Sequence, residues 1–101
     1  MKGSIVTKRL AARATQLIDN DQVRVTRFEF EPGDETGWHE HGFDYVITAL
    51  THCTMLIEDD EGERTVETES GAAYYRKAGV KHNVINGGKV PMAFVEVEMK
   101  R

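Results

Sequence analysis

The stretch "GWHEHGFDYV", residues 37–46, holds two histidines one residue apart. On a β-strand successive side chains alternate faces, so His39 and His41 project together while Glu40 projects the other way. Two imidazoles on one face either grip a metal ion or share a wet, polar surface. The decision rests on what the rest of the chain places opposite them.

Turn signals recur at short intervals on both sides of this stretch: "DND" at 19–21, "PGDETG" at 32–37, "DDEG" at 59–62, "AG" at 78–79 and "NGG" at 86–88. Between them lie segments rich in β-branched and aromatic residues: "VRVTRFEF", "YVITAL", "CTMLIE", "RTVETE", "AAYYR", "HNVIN" and "MAFVEVEM". That alternation predicts an all-β fold. Only "KRLAARATQLI" has a helical reading, and it reads equally as an arm packed on the barrel or on a second subunit.

At 101 residues the chain is long enough for one domain, which buries roughly two-thirds of the surface its unfolded form exposes. A net charge of -4, with lysines and arginines scattered along the chain, argues against nucleic acid as a partner. The single cysteine, Cys53, excludes an internal disulfide framework and fits a reducing compartment. No run approaches the roughly 20 apolar residues needed to span a membrane, nor is there an apolar signal-peptide core. These features predict a soluble cytoplasmic protein.

Two spacings draw the histidines together. Gly33 is followed after five residues by His39 and His41, and Gly71 is followed after seven by Gly79, then His82 and Asn86. This pattern resembles the two sequence motifs of the cupin superfamily, in particular compact bacterial cupins. Counted with four residues after His41, the glutamate slot of the first motif holds Val46, its final glycine slot holds Cys53, and the proline slot of the second motif holds Lys77. The resemblance implies a cupin double-stranded β-helix, a jelly-roll type antiparallel barrel. On this reading residues 1–101 are a single cupin domain, with 1–20 as an N-terminal arm and 21–101 as the barrel.

The resemblance also implies a metal site at His39, His41 and His82. With valine in the glutamate slot the donor set is three neutral nitrogens, as in three-histidine cupins, a group that includes thiol dioxygenases using iron. One divalent ion (Fe, Zn, Ni, Mn or Cu) fits such a set. Asp44, two residues before Val46 and on its face, either approaches the metal or its water or caps the turn after His41. The expected function is metal-dependent chemistry of dioxygenase, isomerase or lyase type on a small anionic organic molecule. The alternative is a non-catalytic ligand-binding or sensor module.

Other residues have local readings. His52 belongs to a turn at the surface, Cys53 is a small buried hydrophobe, and Trp38 is a core or rim anchor. Tyr74 and Tyr75 face opposite ways, so at most one lines a pocket. Asn86 reads as a hairpin residue and "EDDEGER" as a solvated hairpin. Val23 and Val25 share one face of their strand and Phe28 and Phe30 the other, so both faces need cover, which predicts a homodimer.

Overall fold

The computed structural model describes residues 8–101, and these form nine strands and no helix. In order they are β1 (Arg13–Asp19), β2 (Val23–Phe30), β3 (His39–Glu40), β4 (Asp44–Ala49), β5 (Cys53–Asp59), β6 (Gly62–Thr68), β7 (Ala73–Arg76), β8 (Lys81–Asn86) and β9 (Met92–Met99). One antiparallel sheet has the order β1-β2-β9-β4-β7 and the other β3-β8-β5-β6. Together they make the double-stranded β-helix, whose two sheets share one interior.

Of the segment left open between helix and arm, residues 13–18 belong to strand β1, paired in a hairpin with β2, and 8–12 precede it with a single bridge from Ala11 to Glu35. The hairpin turn is set by Asn20, whose side chain accepts the Gln22 and Val23 amides at 2.8 and 2.9 Å. Leu17 has no partner on β2, and this bulge shifts the register between Gln16 and Ile18. β1 is an edge strand and most of its side chains are exposed.

Period-two alternation on the inner strands decides what fills the barrel. β4 turns Tyr45, Ile47 and Ala49 inward, β5 turns in Cys53, Met55 and Ile57, and β9 turns in Met92, Phe94, Glu96 and Glu98. Phe28 and Phe30 on β2 meet Phe94 with ring centroids 5.5 and 5.3 Å apart. β8 is buried at every position from His82 to Asn86, and Glu35, itself bridged to Ala11, pairs with Ile85 along the edge of β8 that β3 leaves open. Asn86 does more than bound a hairpin. It is 2% exposed and donates to the carbonyls of Phe30 and Val90, which anchors the end of β2 beside the loop before β9.

The interior is therefore apolar toward Phe30, Met55, Met92 and Phe94 and polar toward Glu96, Glu98 and the histidines. Phe94→Ala is expected to lower stability by about 3–5 kcal/mol, the usual cost of deleting a buried aromatic side chain. Urea denaturation checks this, and a loss under about 1 kcal/mol would mean that the Phe28–Phe30–Phe94 cluster does not hold the sheets together.

Candidate metal centre

His39 and His82 are cross-strand partners on β3 and β8, so their side chains share a face. His41 lies just beyond β3. Its N–H donates to the Val80 carbonyl and its carbonyl accepts the Gly79 N–H, both at 2.8 Å. Gly79 has φ of 101°, a conformation that side-chain-bearing residues resist, and it turns the chain into β8 at this point. The two histidine-bearing segments are in this way fixed to each other by backbone.

The three imidazoles converge through their Nε2 atoms. His39 Nε2 is 3.0 Å from His41 Nε2, which is 3.1 Å from His82 Nε2. Nitrogen ligands at about 2.1 Å from one ion and at right angles to each other lie about 3.0 Å apart, so the spacing suits a common metal ion. His39 Nδ1 donates to the Gly37 carbonyl at 2.8 Å, which leaves the lone pair on Nε2. Burial, and then the charge of His39, pushes His41 down to about 4 and His82 to about 3. Both rings are neutral at pH 7 and in the form that binds metal.

A polar network behind the ligands holds this arrangement. Asn83, 1% exposed, accepts the Gly37 N–H at 3.0 Å and donates to Glu35 and Glu58 at 2.8 and 3.0 Å. Thr36 Oγ1 accepts the Val84 N–H at 3.1 Å. Tyr45 stacks on His41 with centroids 3.8 Å apart and ring planes 17° from parallel. A cavity of about 770 Å³ opens beside His82 and Tyr45, lined also by Trp38, Arg64, Tyr74 and Arg76. Arg64 is paired with Asp59 at 2.6 Å. Arg76 lies over the Tyr74 ring at 4.5 Å, donates to the Tyr75 carbonyl, and has no carboxylate within ion-pairing distance among the described residues.

His39, His41 and His82 thus come together, and Asp44 does not join them through hydrogen bonds. Its carboxylate accepts the Tyr75 hydroxyl at 2.6 Å and the Ala78 N–H at 2.8 Å, which is the turn-capping arrangement. Those bonds hold it below the usual carboxylate range and the Tyr75 phenol above its own. Val46 shares the outward face with Asp44, and the inward residue at this point of β4 is Tyr45. The slot assigned to Val46 is therefore one residue out: three residues, not four, separate His41 from the side chain that faces it. His52 is exposed and bonds Glu67 at 2.7 Å, and Cys53 is fully buried, as expected. Tyr74 lines the cavity and Tyr75 faces out, while Trp38 is 54% exposed at the cavity rim. The acidic hairpin contributes Asp59, Asp60 and Glu61 to the cavity wall, beyond its reading as a merely solvated loop.

Glu96 is the group that sequence reading missed. It is 9% exposed, its Oε1 lies 3.8 Å from His41 Nε2, and its neighbour Glu98 is bonded by Arg24 Nε at 2.7 Å. Among the described residues two clusters can hold a cation: the three histidines, and His41 with Glu96 and Glu98. No helix among them is long and apolar enough to cross a membrane.

A family model described as Cupin domain matches residues 26–98. The chain is 51% identical over 86 residues to the β-alanine degradation protein BauB of Pseudomonas aeruginosa, an alignment covering 85% of this chain and 90% of that protein. The crystal structure of a cupin domain from Bordetella pertussis Tohama I is 45% identical, with coverage of 95% of this chain and 100% of its own, and a TM-score of 0.91. The structure of the polyketide cyclase RemF from Streptomyces resistomycificus is 26% identical, covers 94% of this chain and 71% of its own, and has a TM-score of 0.69.

The buried imidazoles make stability depend on pH in a fixed direction. Between the ordinary value of 6.5 and the folded-state values near 4 and 3, the unfolded chain binds more protons, so stability falls as pH falls. Glu96, pushed up to about 7 by burial and the charge of Glu98, acts oppositely between 4.5 and 7. Metal-free wild type is expected to lose stability relative to His82→Gln as pH falls from 6.5 toward 3. Parallel stability curves for the two proteins in urea would show that His82 is not held neutral.

Proposed function

The chain belongs to the cupin family, and on that premise we propose that it binds one divalent metal ion at His39, His41 and His82 for chemistry on a small anionic organic molecule. The observation that carries this reading is the convergence of three Nε2 atoms at 3.0 and 3.1 Å beside a cavity of about 770 Å³. Such a volume accommodates a small metabolite. When bound, the ion supplies Lewis-acid polarisation and a template for an oxygen donor, consistent with dioxygenase, isomerase or lyase chemistry. Arg76 offers a guanidinium with no acidic partner to an anionic group in the cavity. Tyr45 holds the His41 ring in place by stacking, and Trp38 closes part of the rim against water. The name of BauB, tied to β-alanine degradation, fits a small carboxylate-bearing substrate, and RemF is an enzyme on a similar fold.

The protein also pairs with a second copy through the outer face of its five-stranded sheet. A single row of side chains crosses that face: Ile18, Val25, Val97, Val46 and Tyr75, each the register partner of the next. All five are apolar or aromatic, and the two end members are 47% and 48% exposed. A second copy covers this row by two-fold symmetry.

His39→Ala, His41→Ala and His82→Ala are each expected to lose most of the metal found by elemental analysis of protein purified without chelator, with the barrel intact by circular dichroism. Wild-type stoichiometry in all three would refute the site. Oxygen uptake and product analysis with thiols, diketones and amino-acid-derived acids then test turnover, and ligand binding without turnover would leave a sensor or carrier barrel. Light scattering is expected to give twice the 11.4 kDa chain mass, and Val97→Asp is expected to return it to the monomer value. A monomeric wild type at micromolar concentration would exclude the dimer.

A further inference from the structure

The metal site as read above has three imidazoles and no acid, because the inward residue of β4 is Tyr45 and the outward one is Val46. A buried acid nonetheless stands beside it on another strand. Glu96 is turned inward by the alternation of β9, between Thr26 of β2 and Ile47 of β4. Neither neighbour donates a hydrogen bond to it, and among the described residues no other group does. Its acidic neighbour Glu98 is bonded by Arg24 at 2.7 Å, so Glu96 alone is left without a counter-charge. An ionised carboxylate in that position is costly unless a cation lies within reach.

We propose that Glu96 is the fourth ligand of the metal centre, a carboxylate supplied by the last strand in place of the one missing from the first histidine motif. This inference rests on the three-histidine reading and deepens it. Glu96 Oε1 is 3.8 Å from His41 Nε2. Two donors about 2.1 Å from one ion are about 3.4 Å apart in a tetrahedron and about 4.2 Å apart when opposite each other in an octahedron, and 3.8 Å lies between them. A glutamate side chain has three torsions, so it reaches the ion by a rotamer adjustment that leaves β9 in place. His41 is the member shared by the two clusters, the histidine triad and the set of His41, Glu96 and Glu98, so the side-chain adjustment has to carry the Glu96 carboxylate from His41 toward His39 and His82.

The chemical consequence is a centre of three nitrogens and one anionic oxygen, whose net charge is one unit lower than that of the histidines alone. An oxygen anion favours harder ions such as Mn(II) over Cu(II) or Zn(II), which imidazoles bind well unaided. Removing the charge while keeping the shape therefore changes metal preference as well as affinity.

The test compares wild type, Glu96→Gln and Glu67→Gln as purified, metal-stripped full-length chains reloaded with Mn(II), Zn(II) or Co(II). Glu96→Gln is expected to weaken Mn(II) binding by more than about 10-fold, to weaken Zn(II) less, and to alter the visible absorption spectrum of the Co(II) form. Glu67→Gln, an exposed carboxylate that bonds His52 outside the barrel, is expected to leave the Co(II) spectrum as in wild type. An unchanged Co(II) spectrum in Glu96→Gln, whatever its affinity, overturns the assignment. Should Glu96→Gln fail to fold, Glu96→Asp, whose carboxylate sits one methylene further back, gives the same readouts. A wild type that binds none of the three ions overturns the histidine site and this ligand together, whereas a wild type that binds them and matches Glu96→Gln overturns this ligand alone.

Discussion

The site depends on two backbone hydrogen bonds, His41 N–H to the Val80 carbonyl and Gly79 N–H to the His41 carbonyl. They join segments that are far apart in the chain, since His41 and His82 are separated by 41 positions. Side-chain interactions alone would be a poor way to make this junction, because three imidazoles with their Nε2 atoms converging do not attract one another. Backbone pairing brings the rings together, and the positive φ of Gly79 lets the chain turn directly into β8. His39 is then set by its register with His82, and its ring by the Gly37 carbonyl. Asn83 and Thr36 extend the same logic outward, since each ties the 36–37 turn to β8.

The remainder of the barrel makes this polar cluster tolerable. Inner side chains of neighbouring strands form cross-strand rows, and the rows change character along the barrel. Phe28 stands beside Phe94, and Phe94 beside Ala49; further along, Thr26 stands beside Glu96 and Glu96 beside Ile47; then Arg24 beside Glu98, Glu98 beside Tyr45, and Tyr45 beside Arg76. Burial of the aromatic rows contributes stabilisation at about 25 cal/mol per Å² of apolar surface removed from water, and this offsets the desolvation of the histidine and glutamate rows. The division keeps the cluster at one end, next to the cavity.

Much of this was readable before the structure, and the failures have physical causes. β2 and β9 coincide with "VRVTRFEF" and "MAFVEVEM", because a run of β-branched and aromatic residues bounded by turn signals has few other conformations open to it. The histidine triad was legible because two spaced motifs constrain each other. Glu96 was not, because "MAFVEVEM" alternates two faces that each look half apolar: Met92, Phe94, Glu96 and Glu98 on one, Ala93, Val95, Val97 and Met99 on the other. Hydrophobicity alone would bury the valines. What turns the glutamates inward is their register with Phe28 and Phe30, a long-range fact absent from the local pattern. The offset between Val46 and Tyr45 is the same difficulty in its smallest form, since a shift of one residue exchanges inside for outside. Strand β1 lacked a clear signal because an exposed edge strand has no buried face to imprint a period.

The charges left over inside the barrel describe what it is built to receive. Arg24 and Glu98 neutralise each other at 2.7 Å, and Arg64 and Asp59 do so at the cavity wall at 2.6 Å. Apart from the exposed Asp60, Glu61 and Lys81 on the cavity wall, two charged side chains facing the interior lack a close ionic partner: Glu96, paired at best with His41 at 3.8 Å, and Arg76, which leans on the Tyr74 ring. They stand on adjacent rows, one beside the histidine cluster and the other on the cavity. The surplus carboxylate favours a cation where the Nε2 atoms converge, and the surplus guanidinium favours an anion in the space next to it. A cation and an anion brought side by side in a water-poor pocket attract each other more strongly than they would in bulk water. On the proposed reading, binding either one would raise affinity for the other, a reciprocity that follows from linkage and requires no movement of the barrel.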